Sequence, residues 1–348
     1  MTQLADVDED FHFLGEYEGY MIDARGCAVG VGLQVTPTGI GKFAGMHYAG
    51  GLPGTGWNRV DREELQGQRE NDIVTLTGQQ TRVEVRRGGA TLLGPNGSIL
   101  VCLTKVRRQS PTLGARSPAG VHTLFDGSDV TQFVSGKISD EGWLEQGTEL
   151  VSRFRDYTLH IEFRLPYMPN AANQGRANSG VYLQSSYEVQ ILDSFGLEGK
   201  ENECGALYRY RRPDVNMCLP PLAWQTYDLT FHAPKYDADG QKYQNARITL
   251  LHNGVVVHDD FEVERKTGAG QQETEKLWPT KLQDHGNPIR FRNIWLVDLQ
   301  PVVPARPARP FCPTNRYAFR LLRTPPMVLS RNYFSGSLQW KSETVRTP

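Results

Sequence analysis

The sequence predicts an all-β protein in which a smaller β domain precedes a two-sheet jelly-roll sandwich. Three observations lead to this fold class. Apolar residues occupy every second position in runs such as 158–165, which is the period of a strand with one buried face. An Asn-Gly pair at 253–254 stands between two strand-like runs and is a strong signal for a β-hairpin. The 348 residues include 35 glycines, as expected for a chain rich in turns.

Residues 1–107 are predicted to form the small N-terminal β domain. Strand signals punctuated by glycine occur at 15–21 and 30–35, and cleaner alternation follows at 74–77 and 81–85. A loop at 50–57 separates them, because its many Gly and Pro residues cannot hold a strand ladder.

Residues 108–119 are predicted to be a linker, because Pro, Gly, Ser and Arg dominate them. The jelly roll is expected over 120–299, where no long helical pattern occurs. A Pro- and Arg-rich tail, 300–348, is predicted to be extended and disordered. The strands expected in the jelly roll include 158–165, 227–232, the hairpin 247–258 and a closing strand at 289–297.

Composition excludes several classes of partner. The formal net charge of -1 gives no basis for binding nucleic acid or an anionic membrane. No apolar run reaches the length of about 18 residues that a membrane span needs. The acidic N-terminus also lacks the basic and apolar regions of a signal peptide.

The five cysteines are an odd number without metal-ligand spacing. Cys204 and Cys218 could be bridged in an oxidising compartment, or could both remain buried free thiols. The sequence leaves both alternatives open.

The segment 176–193 contains the first candidate site. It is predicted to form two short strands joined by a polar turn, and Glu188 and Gln190 then share one face of the second strand. Val189 and Ile191 occupy the opposite, apolar face. A carboxylate beside an amide on an exposed face is better suited to a sugar than to a hydrophobic core.

This strand does not supply the usual pair of catalytic carboxylates. Glycosidases need two carboxyl groups, about 5 Å apart for retention or about 6.5–9.5 Å apart for inversion. The residue two positions beyond Glu188 is Gln190, which cannot ionise. Asp193 lies an odd number of positions away and faces the other side of a regular strand. A two-carboxylate mechanism is therefore not indicated by this strand alone.

A second candidate cluster lies at 281–293. Gln283 and His285 share a face if this segment is extended, and Arg292 follows on the closing strand. His285 can act as an acid or a base near neutral pH, although a lone His is more often structural. Tyr208 lies in an intervening loop and could stack on a sugar.

The second half of the chain resembles the 3-keto-disaccharide hydrolase domain family. The resemblance covers about residues 120–299 and depends on several separate motifs in the same order. These motifs are Leu124-Phe125-Asp126-Gly127, Asn178-Ser179-Gly180-Val181, the run 188–193, Trp224-Gln225-Thr226-Tyr227, the run 282–286 and Phe291-Arg292-Asn293-Ile294.

The resemblance implies a concanavalin-A-like jelly roll, related in shape to family-16 glycoside hydrolases, that acts on 3-keto-glycosides. A ketone at C3 acidifies the hydrogen on C2, so one base can start a β-elimination, which would explain the missing second carboxylate. Glu188 or His285 would be the base, with Arg292 and Gln190 among the stabilising donors. The candidate substrate-binding residues are Arg176, Asn178, Gln190, Asp193, Tyr208, Gln283 and Arg292.

The expected partner is a small carbohydrate, and no cofactor is predicted. A carboxylate, a His and several amides could hold a divalent cation, but no recognisable ligand spacing indicates one. The resemblance also implies a periplasmic or extracellular protein, in contrast to the absence of a signal peptide.

Three other functions remain open from the sequence. A lectin-like binding module without turnover would use the same fold. A conventional family-16-like glycosidase would need a second carboxylate near Glu188 in space. Both β domains could also be spacers in a cell-surface protein.

Overall fold

The computed structural model describes residues 1–299 and the backbone of Ser342–Thr344, and its fold is all-β as predicted. Helical structure in the described residues is limited to short 3-10 turns at Leu4–Asp6, Glu9–His12 and Asn173–Gly175. Two separate hydrophobic cores are present, one in each half of the chain.

The first eight strands form a closed antiparallel barrel. Consecutive strands pair in chain order, and the ring closes because the first strand also pairs with the eighth, with Glu16 opposite Val106. Alternate residues such as Val83 and Val85 point inward and are fully buried. The strands are β1 (Gly15–Ile22), β2 (Ala28–Gly39), β3 (Lys42–Ala49), β4 (Arg62–Glu70), β5 (Ile73–Thr77), β6 (Arg82–Arg86), β7 (Gly89–Leu93) and β8 (Ile99–Arg108).

Two further sheets form the predicted sandwich. The smaller sheet has the order β10-β12-β21-β14-β15, and the larger has the order β11-β22-β13-β16-β19-β20 with β9 also paired to β22. The strands are β9 (His122–Phe125), β10 (Phe133–Val134), β11 (Leu144–Glu145), β12 (Thr148–Leu150), β13 (Tyr157–Arg164), β14 (Ser179–Leu183), β15 (Tyr187–Ile191), β16 (Trp224–His232), β17 (Lys235–Tyr236), β18 (Lys242–Gln244), β19 (Ala246–His252), β20 (Val255–Val263), β21 (Lys281–Leu282) and β22 (Arg290–Asp298). Among the strands of residues 1–299, β17 and β18 pair only with each other.

The sandwich core lies between these two sheets. Ile161 and Phe163 of β13 and Val181 and Val189 of β14 and β15 belong to one cluster of buried side chains. The outward-facing residues of β13 and β15, such as Glu162 and Glu188, are polar, in agreement with the alternation of the sequence. The predicted hairpin is also present, with both Asn253 and Gly254 at positive φ in the turn between β19 and β20.

The chain begins on the sandwich, enters the barrel and returns to the sandwich. The Met1 ammonium donates to the Tyr167 carbonyl at 3.0 Å, and the Tyr167 hydroxyl donates to Asp8 at 2.9 Å. Where the barrel starts and ends, buried Arg108 forms an ion pair with buried Glu16, with Nε and Oε2 2.7 Å apart.

The segment that follows the barrel lies against the outer face of the larger sheet. The Thr112 hydroxyl donates to Asp228 and the Gly114 N–H donates to Glu162, both at 2.6 Å. The Asn293 side chain donates to the Ala115 carbonyl at 3.0 Å. This part of the predicted linker is therefore hydrogen-bonded to three strands of the sandwich.

Most of the predicted tail lies outside the described residues. The short strand β23 (Ser342–Thr344) pairs antiparallel with the end of β8, with Thr344 opposite Val106. Across the described residues, no helix combines the length and apolar character needed to cross a membrane.

Candidate active site

Glu188 and Gln190 lie side by side on the outer face of β15. Their neighbours Val189 and Ile191 point into the sandwich core, so the strand alternates as its sequence predicts. The edge of β15 is hydrogen-bonded to the segment 204–208, with the Tyr208 N–H donating to the Glu188 carbonyl at 3.0 Å. The Thr267 hydroxyl accepts from the Glu188 N–H at 2.8 Å. These bonds hold the edge of β15 that faces away from β14, and the pairing with β14 holds the other edge.

A row of side chains crosses the smaller sheet through Glu188. Tyr182 of β14 is directly opposite Glu188, and Lys281 of β21 is directly opposite Tyr182. Tyr208 lies on the other side of Glu188, because Leu207 forms a bridge with Val189. Side chains opposite one another on neighbouring strands share a face and make contact. This row is called the Glu188 row below and consists of Lys281, Tyr182, Glu188 and Tyr208.

The Glu188 carboxyl is buried and incompletely hydrogen-bonded. The residue is 1% exposed, and its Oε2 has no hydrogen-bond partner among the described residues. Burial raises the pKa of Glu188 to about 7, and the nearby Tyr182 hydroxyl and Lys281 ammonium act in the opposite direction. A carboxyl group with this pKa exchanges protons near neutral pH, as a general base must.

Gln190 supplies an amide to this carboxyl. In the amide orientation that donates to the carboxyl, the side-chain nitrogen lies 3.2 Å from Glu188 Oε1 and 2.9 Å from the Ser179 carbonyl oxygen. Gly180 is opposite Gln190, and the absence of a side chain there leaves room for the carboxylate. Gln190 therefore fixes the orientation of Glu188.

Gln283 adds a second unsatisfied acceptor near the row. Its backbone N–H donates to the Gly180 carbonyl at 2.9 Å, and its Nε2 donates to the Tyr182 hydroxyl at 3.2 Å. Its Oε1 is buried without a partner in the described part of the chain. Buried polar atoms are nearly always hydrogen-bonded in native proteins, so two open oxygens on side chains that both bond to Tyr182 point to a bound ligand.

Three predicted substrate contacts are bonded to other protein groups. Arg176 donates from Nε to Asp193 at 2.7 Å and from Nη2 to the Thr36 hydroxyl of the barrel at 2.9 Å. Asn178 donates to the Gln174 carbonyl at 2.7 Å. All three predicted residues are buried, and in these bonds they support the ends of β14 and β15. Contact of these side chains with substrate stays a prediction.

His285 lies outside the Glu188 row. Strand β21 ends at Leu282, and His285 is exposed in the loop that follows. Within residues 1–299, no hydrogen bond or ion pair joins the His285 ring to Glu188.

Arg292 lies on the larger sheet, not beside Glu188. It belongs to β22, where its Nε donates to Glu162 at 2.7 Å and its guanidinium lies 4.1 Å from the centroid of the Trp224 ring. The structure therefore brings Gln190, Tyr208 and Gln283 together with Glu188 and separates Arg292 from them.

The larger sheet has its own cluster of charged residues. His160 Nδ1 is 2.6 Å from Asp228 Oδ1, and His160 stacks on Trp295. Burial opposes the charge on His160, but hydrogen bonds with Asp228 and Glu162 outweigh it and raise its pKa to about 9. Burial likewise opposes the charge on Glu162, whose pKa falls to about 2 because of its bonds to His160, Asn293, Gly114 and Arg292. The partners of this cluster are thus protein groups, including the segment after β8.

Metal ligands are not clustered in the described residues. Nowhere in 1–299 do three or more His, Cys, Asp or Glu side chains converge in a way that could hold an ion. Around Glu188 the neighbouring polar groups are an amide, phenols and an ammonium. These groups suit a neutral polyhydroxylated ligand and chemistry initiated by a single base.

Sequence reasoning missed Tyr182 and Lys281. Tyr182 could have been found from the hairpin, since a three-residue turn at 184–186 pairs Leu183 with Tyr187 and so Tyr182 with Glu188. Lys281 has the same strand parity as Gln283 and is two positions before it.

Comparisons with known proteins give a family match for the sandwich and similar solved structures. The family model described as the 3-keto-alpha-glucoside-1,2-lyase-like domain matches residues 120–297. One solved structure from Parabacteroides distasonis, provisionally named as a glycosyl hydrolase, is 29% identical with a TM-score of 0.50, and the match covers 56% of this chain and 91% of that one. A second from the same organism, with the same description, is 19% identical with a TM-score of 0.37 and covers 52% and 94%. Curated proteins yielded no match.

Proposed function

The chain belongs to the family of 3-keto-alpha-glucoside-1,2-lyase-like domains, and from this premise we propose that its sandwich cleaves 3-keto-glycosides by elimination across C1 and C2. The coarser statement, that the sandwich is a glycosidase-like module acting on carbohydrate, agrees with both the family and the description of the 29% identical structure. The substrate class and the mechanism are the proposal.

The observation that carries the proposal is the single buried carboxyl at Glu188. The residue beside it on the same face is an amide, so the pair of carboxylates that ordinary glycoside hydrolysis requires is not supplied by this strand. The pKa of Glu188 is raised to about 7 by burial, which suits removal of a carbon-bound proton at neutral pH. A 3-ketone makes the C2 hydrogen acidic enough for one such base.

The reaction balances with Glu188 as the only proton carrier. The carboxylate removes the C2 proton, the C2–H electron pair forms the C2–C3 double bond, and the C3 oxygen takes the negative charge. The C3 carbonyl then re-forms, the electron pair between C2 and C3 becomes a C1–C2 double bond, and the C1–O bond breaks. The leaving oxygen keeps that bonding pair and takes the proton from Glu188. The products are a 1,2-unsaturated 3-ketone and a free alcohol, and water can then add to the enone to give the free 3-keto sugar.

The residues around Glu188 orient the base or bind the sugar in this proposal. Gln190 orients the carboxylate, and the open Oε1 of Gln283 can accept a hydrogen bond from a sugar hydroxyl. Tyr208 adds an aromatic ring to the same row. His285 is the alternative base, and its exposed position makes Glu188 the first choice.

The test compares a 3-keto-disaccharide with its unoxidised parent. We expect the full chain to release free sugar from the keto form only, and Glu188→Gln to abolish release while its thermal unfolding stays cooperative. His285→Ala is the matched variant for the alternative base. Cleavage of the parent would instead indicate a conventional glycosidase. Binding of both sugars without cleavage of either would indicate a lectin-like module.

A further inference from the structure

Tyr182 is the side chain placed best to act on the substrate together with Glu188. Its Cα pairs with that of Glu188 across β14 and β15, and the two side chains share the outer face. Tyr182 is 5% exposed, so its hydroxyl is largely shielded from water. No role is assigned to this residue by its sequence motif or by the proposed function above.

The Tyr182 hydroxyl bonds to the Glu188 carboxylate in the resting site. Its oxygen accepts from Gln283 Nε2 at 3.2 Å, and a phenol has only one proton to donate. That proton therefore points at Glu188, and it can turn to a ligand oxygen once the carboxylate has taken up a proton. Burial raises the pKa of Tyr182 above its ordinary value, and the charge of Glu188 acts in the same direction, so the phenol remains a neutral donor.

Other donors near Glu188 are less suitable. The Gln190 amide donates to Glu188 and to the Ser179 carbonyl, which uses both of its protons. The Lys281 ammonium lies 5.7 Å from the centroid of the Tyr182 ring, and its side chain is exposed. Arg292, the donor expected from the sequence, is on the larger sheet.

We propose that the Tyr182 hydroxyl donates the hydrogen bond that stabilises the C3 oxygen of the enolate, with Gln283 as the residue that orients it. This inference rests on the proposed function, since an enolate forms only from a 3-keto sugar. Negative charge develops on the C3 oxygen as Glu188 takes the C2 proton, and a fixed donor in a shielded site stabilises that charge. Tyr182 keeps its proton throughout, because the leaving oxygen is protonated from Glu188.

The experiment measures kcat and KM of Tyr182→Phe on 3-keto-glucosides whose leaving groups differ in acidity. Loss of an oxyanion donor costs about 100- to 1000-fold in kcat, and we expect a loss of that size with KM little changed. The loss should be equal for an alkyl and a 4-nitrophenyl leaving group. Tyr187→Phe is the matched control, since its ring packs in the sandwich core and its hydroxyl donates to Glu273.

A second measurement follows the exchange of the hydrogen on C2 of the sugar. Exchange of the C2 hydrogen with deuterated solvent should slow in Tyr182→Phe and stop in Glu188→Gln. The Tyr182 hydroxyl lowers the pKa of Glu188. Its removal should therefore raise that pKa and move the acidic limb of the pH profile to higher pH. A role confined to this resting contact with Glu188 would shift the pH profile but leave the exchange rate unchanged at a pH where Glu188 is fully ionised.

The outcomes separate the two proposals. Wild-type kcat in Tyr182→Phe, or a loss that disappears with the 4-nitrophenyl leaving group, overturns the enolate role of Tyr182 while leaving Glu188 as base. A large loss in Lys281→Met but not in Tyr182→Phe assigns the donor to Lys281. Full activity of Glu188→Gln overturns the proposed function itself.

Discussion

Gly180 and Glu188 are in such close contact that position 180 cannot hold a side chain without moving the carboxyl. A Cβ at Gly180 would lie 2.5 Å from Glu188 Oε1 and 3.0 Å from its Cγ. These atoms belong to a flexible side chain, so the conflict is relieved by displacing the carboxyl and not by distorting the strand. The glycine therefore helps to set the position of the candidate base.

Gly180→Ala is accordingly expected to lower kcat on a 3-keto-glycoside at least tenfold, with little loss of thermal stability. A shift of the carboxyl away from such a contact misaligns the base with the carbon-bound proton, and proton removal is sensitive to this alignment. Gly175→Ala is the control, because a Cβ there meets no atom within 4 Å. Equal activity of the two variants would contradict the proposed position of the base.

The pH dependence of activity should report the ionisation of Glu188. Burial raises the pKa of this group to about 7, and only the carboxylate can remove a proton. We expect kcat/KM to rise about tenfold per pH unit below pH 7 and to level off above it. A profile that is flat between pH 5 and pH 8 would show that another group is the base.

Stability should change with pH in the opposite sense. The folded-state pKa of Glu188 is about 7 against an ordinary value of 4.5, so ionisation of the buried carboxyl disfavours the fold as pH rises from 4.5 through 7. Glu188→Gln cannot ionise and should be more stable than the wild type at pH 8, by up to about 3 kcal/mol. The difference should vanish near pH 4.5. Urea unfolding at the two pH values measures it, and an equal difference at both would contradict the burial of an ionisable group.

Arg292 should contribute to stability and not to turnover. Its partner Glu162 is fully buried, so Arg292→Met removes a cation from a buried carboxylate and is expected to cost about 1–3 kcal/mol. The kinetic constants for a 3-keto-glycoside should stay within about twofold of wild type. Arg247→Met, which breaks the exposed pair with Asp260, should have a much smaller effect on unfolding. A rise in KM for Arg292→Met alone would restore its predicted contact with substrate.

The cysteines divide into two classes by exposure. Cys27 and Cys102 are exposed, whereas Cys204 and Cys218 are free thiols buried in the sandwich core. In a Cys312→Ser background, a thiol reagent should titrate two groups rapidly in the folded protein and four after denaturation. Cys312 is replaced because it lies outside the described residues. Two thiols in the denatured protein without reductant would indicate a bridge between Cys204 and Cys218.

Local pattern was sufficient for the strand faces. Alternation placed Val189 and Ile191 in the core and Glu188 and Gln190 outside it, because the two-residue period of a strand holds wherever one face is buried. The Asn253-Gly254 hairpin was predictable for a similar reason, since its two residues must adopt positive φ.

Sheet membership could not be derived in this way. Arg292 is near Gln283 in sequence, but β22 pairs with β13 and β21 pairs with β14, so the two residues belong to different sheets. Closure of the barrel depends on pairing Glu16 with Val106, which are far apart in the chain. Local patterns carry no information about such long-range register. The contacts of Tyr182 likewise depend on the length of one turn.

The ion pair between Glu16 and Arg108 joins the first and last strands of a barrel that precedes every strand of the sandwich. Met1, before the barrel, and Thr112, after it, are both hydrogen-bonded to the sandwich. The chain enters and leaves the barrel at neighbouring points, marked by Glu16 and Arg108. The barrel therefore interrupts neither sheet of the sandwich, and the two modules meet through side chains and the segments that flank the barrel. Because Arg176 bonds both to Thr36 of the barrel and to Asp193 beyond β15, a disturbance of β2 would reach the strand that carries Glu188.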